Sequence, residues 1–256
     1  MGLKIAVTGK GGVGKTTFSA LIVDYISNKH SKSVLAVDAD PNSNLSEALG
    51  LDQPESISDI IEYTKKHLSD IPAGTTKERF LEYRVHQSIQ ESKDFDLMVM
   101  GRPHGLGCYC YVNNVLTDIM SNLIKDYDYL VVDNEAGMEH LSRRTLEEMD
   151  ILFIVSDYSM VGIRSAVRIS KLADEIGINV AKRYLIINKA TGAADDLKDM
   201  AARNGLELGG AIKYNKGIAE ISLKGRALIG EGSSGADGFS AEVYSLCDNL
   251  LVKSGV

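Results

Sequence analysis

A glycine-rich segment near the amino terminus carries residue types that bind phosphate. The segment Gly9-Lys10-Gly11-Gly12-Val13-Gly14-Lys15-Thr16 fits the pattern G-x-x-x-x-G-K-[ST] and lies between a strand-like run and a helix-like run. Glycines let backbone N–H groups turn toward phosphate oxygens, and the start of the following helix adds a positive end. Lys15 is suited to bridge the β- and γ-phosphates, and Thr16 offers a hydroxyl to Mg²⁺. The pattern therefore predicts a site for a nucleoside triphosphate.

The same glycines also fit a second pattern. Positions 9, 11 and 14 match the fingerprint of dinucleotide-binding folds, and Asp38 follows at about the spacing of a ribose-binding acid. Two features favour the triphosphate. The pair Lys15-Thr16 belongs to the phosphate loop, and Asp133 closes a later apolar run, where a metal-holding acid is expected.

Three carboxylates follow predicted strands. Asp38 and Asp40 come at the end of the second strand, and Asp133 ends the strand that contains Leu130-Val131-Val132. Any one of them could be a helix cap or a turn residue. Because ligands bind at the carboxyl ends of parallel strands, we expect the three acids to converge on the same phosphates.

A second candidate site is a cysteine pair in the loop segment 101–110. Cys108 and Cys110 can point to the same side if the chain is extended, and both sulfurs could then bind one thiophilic metal ion. Such a site usually has about four protein ligands, so a symmetric dimer would complete it by supplying the pair twice. The alternative is two small buried side chains. His104 is not included among the ligands, and we expect Cys247 to lie in the core.

Apolar runs alternate with segments of helical period along the chain. The runs predict seven strands, near Leu3–Thr8, Ser33–Asp38, Phe95–Met100, Asp128–Asp133, Ile151–Ser156, Arg183–Asn188 and Glu207–Ile212. The periodic segments predict helices at Thr16–Lys29, Ser56–Lys66, Tyr111–Lys125, Glu139–Met149, Met160–Ile176 and Ser240–Leu251, while residues 80–92 fit a helix only moderately. Strands that are apolar throughout need helices on both faces. We expect an α/β fold with a doubly wound, mostly parallel sheet of about seven strands, in a single domain spanning residues 1–256.

The composition of the 256-residue chain excludes a disordered, a collagen-like and a disulfide-dense protein. Apolar residues make up 44% and charged residues 25%, the balance of a folded globular protein. The longest apolar runs are strand-sized, far short of the roughly 20 residues of a membrane span. The formal charge of −7 disfavours nucleic acid and anionic lipid as partners. We expect a cytoplasmic protein with neither membrane nor nucleic-acid partner.

The phosphate loop resembles that of a known family. Lys10-Gly11-Gly12-Val13-Gly14-Lys15-Thr16-Thr17, with Asp38-Ala39-Asp40-Pro41-Asn42 after the second strand, is similar to the deviant phosphate loop of MinD/ParA-type ATPases. The resemblance implies a P-loop NTPase fold, a nucleotide-sandwiched homodimer, and ATP and Mg²⁺ as ligands. It also implies roles for individual residues: Lys10 reaches the partner's phosphates, Asp40 orients the attacking water, Asp38 supports the Mg²⁺ hydration shell and Asp133 completes the metal site. Asn188 resembles the family's base-contacting asparagine, with a turn-forming asparagine as the alternative.

A narrower resemblance involves the cysteine pair. The combination of this phosphate loop with Gly107-Cys108-Tyr109-Cys110, ahead of a helix containing Asn113-Asn114, is similar to the CooC family of nickel-insertion ATPases. The resemblance implies a dimer that holds one Ni²⁺ or Zn²⁺ through Cys108 and Cys110 of both chains. It also implies a nickel enzyme as client, such as carbon monoxide dehydrogenase or acetyl-CoA synthase.

Two other functions stay open at the level of sequence. A dimer with four cysteines could instead bridge an iron–sulfur cluster, as in an iron–sulfur carrier or reductase. A MinD/ParA-type positioning ATPase needs a lipid or DNA surface, and the acidic last thirty residues offer no basic amphipathic helix for one.

Overall fold

One mostly parallel sheet forms the centre of the molecule. The computed structural model describes residues 2–102, 110–135, 148–192, 195–229 and 237–252. The strands in these ranges are β1 (Leu3–Gly9), β2 (Val34–Ala39), β3 (Gln90–Glu91), β4 (Asp96–Val99), β5 (Tyr129–Asn134), β6 (Glu148–Asp157), β7 (Asn179–Ala190) and β8 (Glu207–Lys213). Their order in the sheet is β3-β4-β2-β5-β1-β6-β7-β8, and all neighbours are parallel except the antiparallel pair of β3 and β4.

Helices connect the parallel strands. Those in the described ranges are α1 (Lys15–Asp24), α2 (Leu45–Leu49), α3 (Ile57–Lys66), α4 (Lys77–Gln87), α5 (Cys110–Leu123), α6 (Met160–Glu175), α7 (Asp195–Arg203), α8 (Lys216–Leu223) and α9 (Asp237–Val252). Helix α1 continues into a π-helical turn over Tyr25–Lys29. This turn meets α9, because the Tyr25 hydroxyl and Lys29 Nζ both donate to the Asp248 carboxylate at 2.6 Å.

The sheet separates two hydrophobic cores. Successive strand residues point to opposite faces, so Ile5 and Val7 of β1 join one core and Ala6 joins the other. Apolar residues of α1, α2, α8 and α9 fill the first core, and those of α3, α4, α5, α6 and α7 fill the second. Central strands buried on both faces are mostly apolar, as β1, β2 and β5 are up to their carboxyl ends, where β2 and β5 carry the buried Asp38 and Asp133. The prediction of a doubly wound α/β fold is confirmed.

Most predicted elements are found, with corrections at three places. Residues 80–92 belong mainly to helix α4 and then to β3, an added two-residue strand at the sheet edge. The predicted helix Glu139–Met149 is wrong at its end, because Glu148 and Met149 already belong to β6; the rest of that helix lies outside the described residues. Helices α2, α7 and α8 were not predicted. Cys247 is fully buried among apolar side chains of α1 and α9, as expected.

No helix within the described ranges is both long enough and apolar enough to cross a bilayer.

Candidate nucleotide-binding site

The phosphate loop runs from the end of β1 to the start of α1. Gly14 caps α1 in a left-handed conformation, with φ of 96°. A Cβ atom at this position would also overlap the amide nitrogen of Asn188, so both backbone angle and space require glycine. Lys15 begins the helix and is only 8% exposed, whereas Lys10 is exposed. The loop therefore carries one buried cation and one exposed cation.

Asp133 is anchored directly to α1. Its carboxylate is 1% exposed and accepts hydrogen bonds from the Thr16 hydroxyl at 2.7 Å and from the Ser19 hydroxyl at 2.9 Å. The contact with Thr16 joins two of the three residues that sequence had assigned to the Mg²⁺ site; the third is Asp38. Ser19 was missed, although it lies three residues after Thr16 and therefore on the same face of the helix.

Asp38 lies beside Asp133 on the neighbouring strand. The two residues are register partners in the pairing of β2 with β5. Asp38 is fully buried, and its carboxylate accepts hydrogen bonds from the backbone N–H of Leu45 at 2.8 Å and of Asp40 at 3.1 Å. Leu45 is the first residue of the unpredicted helix α2. Asp38 therefore fixes the turn after β2 and the start of the next helix.

The two buried carboxylates have raised pKa values. Burial is the main reason that the pKa of Asp38 rises to about 7, and the charges of Asp133 and Asp40 raise it further against the backbone hydrogen bond from Leu45. Burial likewise raises the pKa of Asp133 to about 6, although the Thr16 and Ser19 hydroxyls and the Lys15 ammonium lower it. A pair of acids in this environment favours a bound cation.

Asp40 lies close enough to the two buried acids to change their pKa values, and it is itself less buried than they are. Its charge raises the pKa of Asp38 and of Asp133. Its own carboxylate accepts from the backbone N–H of Asn42 at 2.9 Å and from the Asn42 side chain at 3.0 Å. The three acids thus come together as expected. Even so, no three His, Cys, Asp or Glu side chains among the described residues form a group that could hold a metal ion unaided.

This donor set fits Mg²⁺. In proteins Mg²⁺ is usually held by one or two carboxylates together with substrate phosphates and water, rather than by an all-protein cage. Thr16 and Asp133 provide a hydroxyl and a carboxylate in contact, and Asp38 adds a second carboxylate whose raised pKa a cation would lower.

Asn188 and Lys189 contact the loop from the end of β7. The Asn188 amide donates to the Val13 carbonyl at 2.8 Å, and its oxygen accepts from the Lys189 backbone N–H at 2.8 Å. The Lys189 ammonium donates to the Gly12 carbonyl at 3.1 Å. Asn188 is therefore placed at the site, but against the loop backbone, and a contact with the base stays a prediction.

An open cavity of about 760 Å³ lies over the phosphate loop, a volume typical of small-ligand sites. Eight predicted site residues line it: Gly11, Gly12, Gly14, Lys15, Thr16, Thr17, Asp40 and Asn188. Its other wall comes from the turn after β8 and from α8, including Tyr214, Asn215 and Ile218, which sequence did not single out. The cavity has room for a nucleotide whose phosphates lie on the loop.

Comparison with known proteins identifies the family. The family described as CbiA, the CobQ/CobB/MinD/ParA nucleotide-binding domain, matches residues 4–229. The chain belongs to this family. An uncharacterized ATP-binding protein of Methanocaldococcus jannaschii is 47% identical over 224 residues, 86% of this chain and 88% of that protein. The carbon monoxide dehydrogenase accessory protein CooC of Rhodospirillum rubrum is 29% identical over 235 residues, 87% of this chain and 88% of that protein.

A solved structure supports the same fold. The ParA family ATPase of Chlorobium tepidum has a TM-score of 0.69 at 21% sequence identity, covering 95% of this chain and 96% of the other. Family membership confirms the resemblance to MinD/ParA-type P-loop ATPases and favours the phosphate-loop interpretation over the dinucleotide fingerprint. The narrower resemblance to nickel-insertion ATPases stays a prediction.

Of the cysteine pair, only Cys110 belongs to a described helix or strand. Cys108 lies outside the described residues; Cys110 begins α5, but its side chain is not described. The chain just before this segment is held by hydrogen bonds at Met100. The backbone N–H of Met100, just after β4, donates to the Asp38 carbonyl at 2.8 Å. The Met100 carbonyl accepts from the Ser58 backbone N–H at 3.0 Å and from its hydroxyl at 2.9 Å. The chain that leads to the cysteines therefore leaves the sheet beside Asp38.

Proposed function

We propose that this MinD/ParA-family ATPase is a metallochaperone. In this proposal a homodimer binds one Ni²⁺, or Zn²⁺, through Cys108 and Cys110 of both chains and inserts nickel into a client enzyme. The observation that carries it is the path of the chain: the segment that leads to the cysteines leaves the sheet hydrogen-bonded to Asp38, a residue of the nucleotide site. The likeness to a carbon monoxide dehydrogenase accessory protein supports the choice of metal and client.

The nucleotide site supplies the parts that ATP hydrolysis needs. Loop N–H groups and Lys15 bind the phosphates, and charge stabilisation of this kind is the main catalytic term in phosphoryl transfer. Asp40, more accessible than the buried acids, orients the attacking water. Lys10, an exposed residue of the loop, reaches the phosphates held by the partner subunit. Thr16, Asp133 and Asp38 would hold Mg²⁺ together with the phosphates, and the ion would supply positive charge to the phosphate oxygens.

The cysteines supply the metal site. Two thiolates from each subunit give the four sulfur ligands that a closed site for a thiophilic ion requires. If ATP favours the closed dimer, nucleotide and metal stabilise the same state and hydrolysis releases both. The nickel is cargo, delivered to a nickel enzyme such as carbon monoxide dehydrogenase or acetyl-CoA synthase.

Metal stoichiometry tests this proposal. Anaerobic protein is incubated with Ni²⁺ or Zn²⁺ and a nonhydrolysable ATP analogue with Mg²⁺, freed of unbound metal, and analysed for elements and oligomeric mass. We expect one thiophilic metal ion per dimer in the parent protein and in Cys247→Ala, which removes the buried thiol of the core. Cys108→Ser and Cys110→Ser should each lose the bound metal while still binding the nucleotide.

Two results would overturn the proposal. Brown protein with stoichiometric iron and sulfide would assign the cysteines to an iron–sulfur carrier. Equal metal content in the parent protein and both serine variants would leave an ATPase without a metal cargo, and co-sedimentation with liposomes or DNA would then favour a positioning role.

A further inference from the structure

Two residues at the end of β7 donate hydrogen bonds to two consecutive carbonyl groups of the phosphate loop. Asn188 donates to the Val13 carbonyl at 2.8 Å, and Lys189 donates through Nζ to the Gly12 carbonyl at 3.1 Å. Strand β7 is two strands away from β1 in the sheet, so these bonds fasten the loop to a separate part of the molecule. Asn188 is buried, whereas Lys189 is exposed on the side of the cavity.

These two bonds fix which way the loop amides face. In a trans peptide the carbonyl and the N–H of the next residue point in opposite directions. Holding the carbonyls of Gly12 and Val13 on β7 therefore turns the N–H groups of Val13 and Gly14 away from β7, toward the concave side of the loop. Those are the donors that a phosphate loop presents to its anion.

The backbone conformation of Lys189 is a second observation that indicates a functional role. Its φ is 57°, in the left-handed region, which is unfavourable for most residues other than glycine. The Asn188 side chain accepts from the Lys189 N–H and so stabilises this turn. Glycine or asparagine would adopt the turn with less strain, but neither could reach the Gly12 carbonyl with a cationic donor. Strained residues of this kind concentrate at functional sites.

We propose that Lys189 is a positioning residue for the triphosphate. It holds the Gly12 peptide so that the loop amides face the phosphates, and its ammonium adds positive charge at that edge of the cavity. Asn188 holds the next peptide in the same way. The inference rests on ATP binding by this site but not on the metal cargo, and it predicts that both residues act on the phosphates of any nucleotide, whatever its base.

The test measures binding of three ligands, each with Mg²⁺: a nonhydrolysable ATP analogue, the matching GTP analogue and inorganic tripolyphosphate. Lys189→Met keeps the side-chain length and the strained backbone but removes the donor and the charge. We expect it to weaken all three ligands by the same factor, about five- to tenfold, the size of the net loss of one ordinary hydrogen bond. Lys189→Arg should restore binding to within about twofold, because it keeps a cationic donor.

Two further variants separate binding from stability. Lys171→Met, at an exposed lysine on α6, should bind all three ligands like the parent protein. Lys189→Gly removes the strain together with the hydrogen bond and the cation, so these effects on stability oppose one another and its unfolding temperature should stay close to that of the parent. It should still bind tripolyphosphate as weakly as Lys189→Met, a loss of affinity without a matching loss of stability, which a merely structural role does not produce.

Several outcomes would overturn the inference. Unchanged binding in Lys189→Met would remove Lys189 from the site, and a loss confined to the ATP analogue would mean that it reads the base. A loss that Lys189→Arg does not restore would also contradict it. If the parent protein binds none of the three ligands, ATP binding itself fails, which is distinguishable because the variants are compared with a parent that binds.

Discussion

At the level of single residues, the most informative feature is the pair of acids buried side by side beneath the phosphate loop. Asp38 and Asp133 are partners on adjacent strands, and burial holds the pKa of each well above its ordinary value. Without a bound metal ion, the charges of both acids are poorly compensated at neutral pH. Lys15 is the nearby cation for Asp133. The site is therefore arranged for Mg²⁺ and a nucleotide at the expense of the ligand-free fold.

The first prediction concerns how this pair affects stability. A carboxyl whose folded-state pKa is raised stabilises the fold below its unfolded pKa of about 4, and that stability is lost as the pH rises through the folded value. For Asp133 the loss falls between about pH 4 and pH 6. Asp133→Asn removes the charge and keeps a group that the Thr16 and Ser19 hydroxyls can bind. We expect the variant to be about 1–2 kcal/mol more stable than the parent at pH 8, and no more stable at pH 4.

Urea unfolding from pH 4 to pH 8, without nucleotide or Mg²⁺, measures this difference. Asp94→Asn, at an exposed acid between β3 and β4, is the control and should follow the parent curve. The same Asp133 variant should have lost ATP hydrolysis. Parallel stability curves for the parent and Asp133→Asn would show that the Asp133 charge does not destabilise the fold.

At the scale of elements, the sequence predicted those strands and helices that are long enough to show a clear hydrophobic pattern. The buried strands β1, β2 and β5 were located because strands covered on both faces carry near-continuous apolar runs, such as Leu130-Val131-Val132 in β5. Helix α2 has only five residues, and its start is fixed by the Asp38 carboxylate, a contact without a periodic pattern. The error at Glu148 has a different origin, because β6 begins with Glu148-Met149-Asp150, whose polar and apolar residues do not distinguish the start of a strand from the end of a helix.

The site itself was predictable where it is local in the chain and unpredictable where it is not. The phosphate loop is a contiguous motif, and the family fixes its partners Asp38 and Asp133. The hydrogen bonds from Ser19 to Asp133 and from Lys189 to Gly12 join residues 114 and 177 positions apart. Such contacts depend on sheet order and on a single backbone angle, neither of which sequence pattern encodes.

The second prediction concerns the element junction that leads to the cysteines. Gly101 has φ of 70°, and a Cβ atom there would overlap the side chain of Ser56, the residue that caps α3. Gly101→Ala must therefore strain the backbone and displace the start of α3. We expect it to lower the free energy of unfolding by about 2–4 kcal/mol, from left-handed strain and steric overlap together. It should also reduce metal uptake by the proposed cysteine site.

Gly74→Ala is the matched control for Gly101→Ala. Gly74 also has a positive φ, 85°, but no atom lies near the place a Cβ would occupy. It should therefore lower the free energy of unfolding by only about 1–2 kcal/mol in urea unfolding, because it adds strain without overlap. Equal losses in the two variants would mean that the junction yields easily and does not fix the path of the chain.

At the scale of the whole molecule, the nucleotide site and the chain that leads to the cysteines leave the same end of the sheet. The phosphate loop, the two buried acids and the end of β4 all lie at the carboxyl ends of parallel strands. The Asp38 main chain bonds to Met100, while its side chain holds the turn that carries Asp40. If this turn shifts when nucleotide binds, we expect the Asp38–Met100 hydrogen bond to carry the shift to the chain before the cysteines.

The third prediction follows from this shared edge and from the proposed dimer. If nucleotide and metal favour the same closed dimer, each must raise the affinity for the other by one and the same factor, typically about 5- to 150-fold. We expect Zn²⁺ to tighten binding of a nonhydrolysable ATP analogue, and the analogue to tighten Zn²⁺ binding equally, both measured by calorimetry with Mg²⁺ present. In Cys110→Ser the nucleotide affinity should match that of the metal-free parent and no longer respond to Zn²⁺. A factor of one in the parent protein would mean that the two sites are independent, and ATP could then neither load nor release a metal.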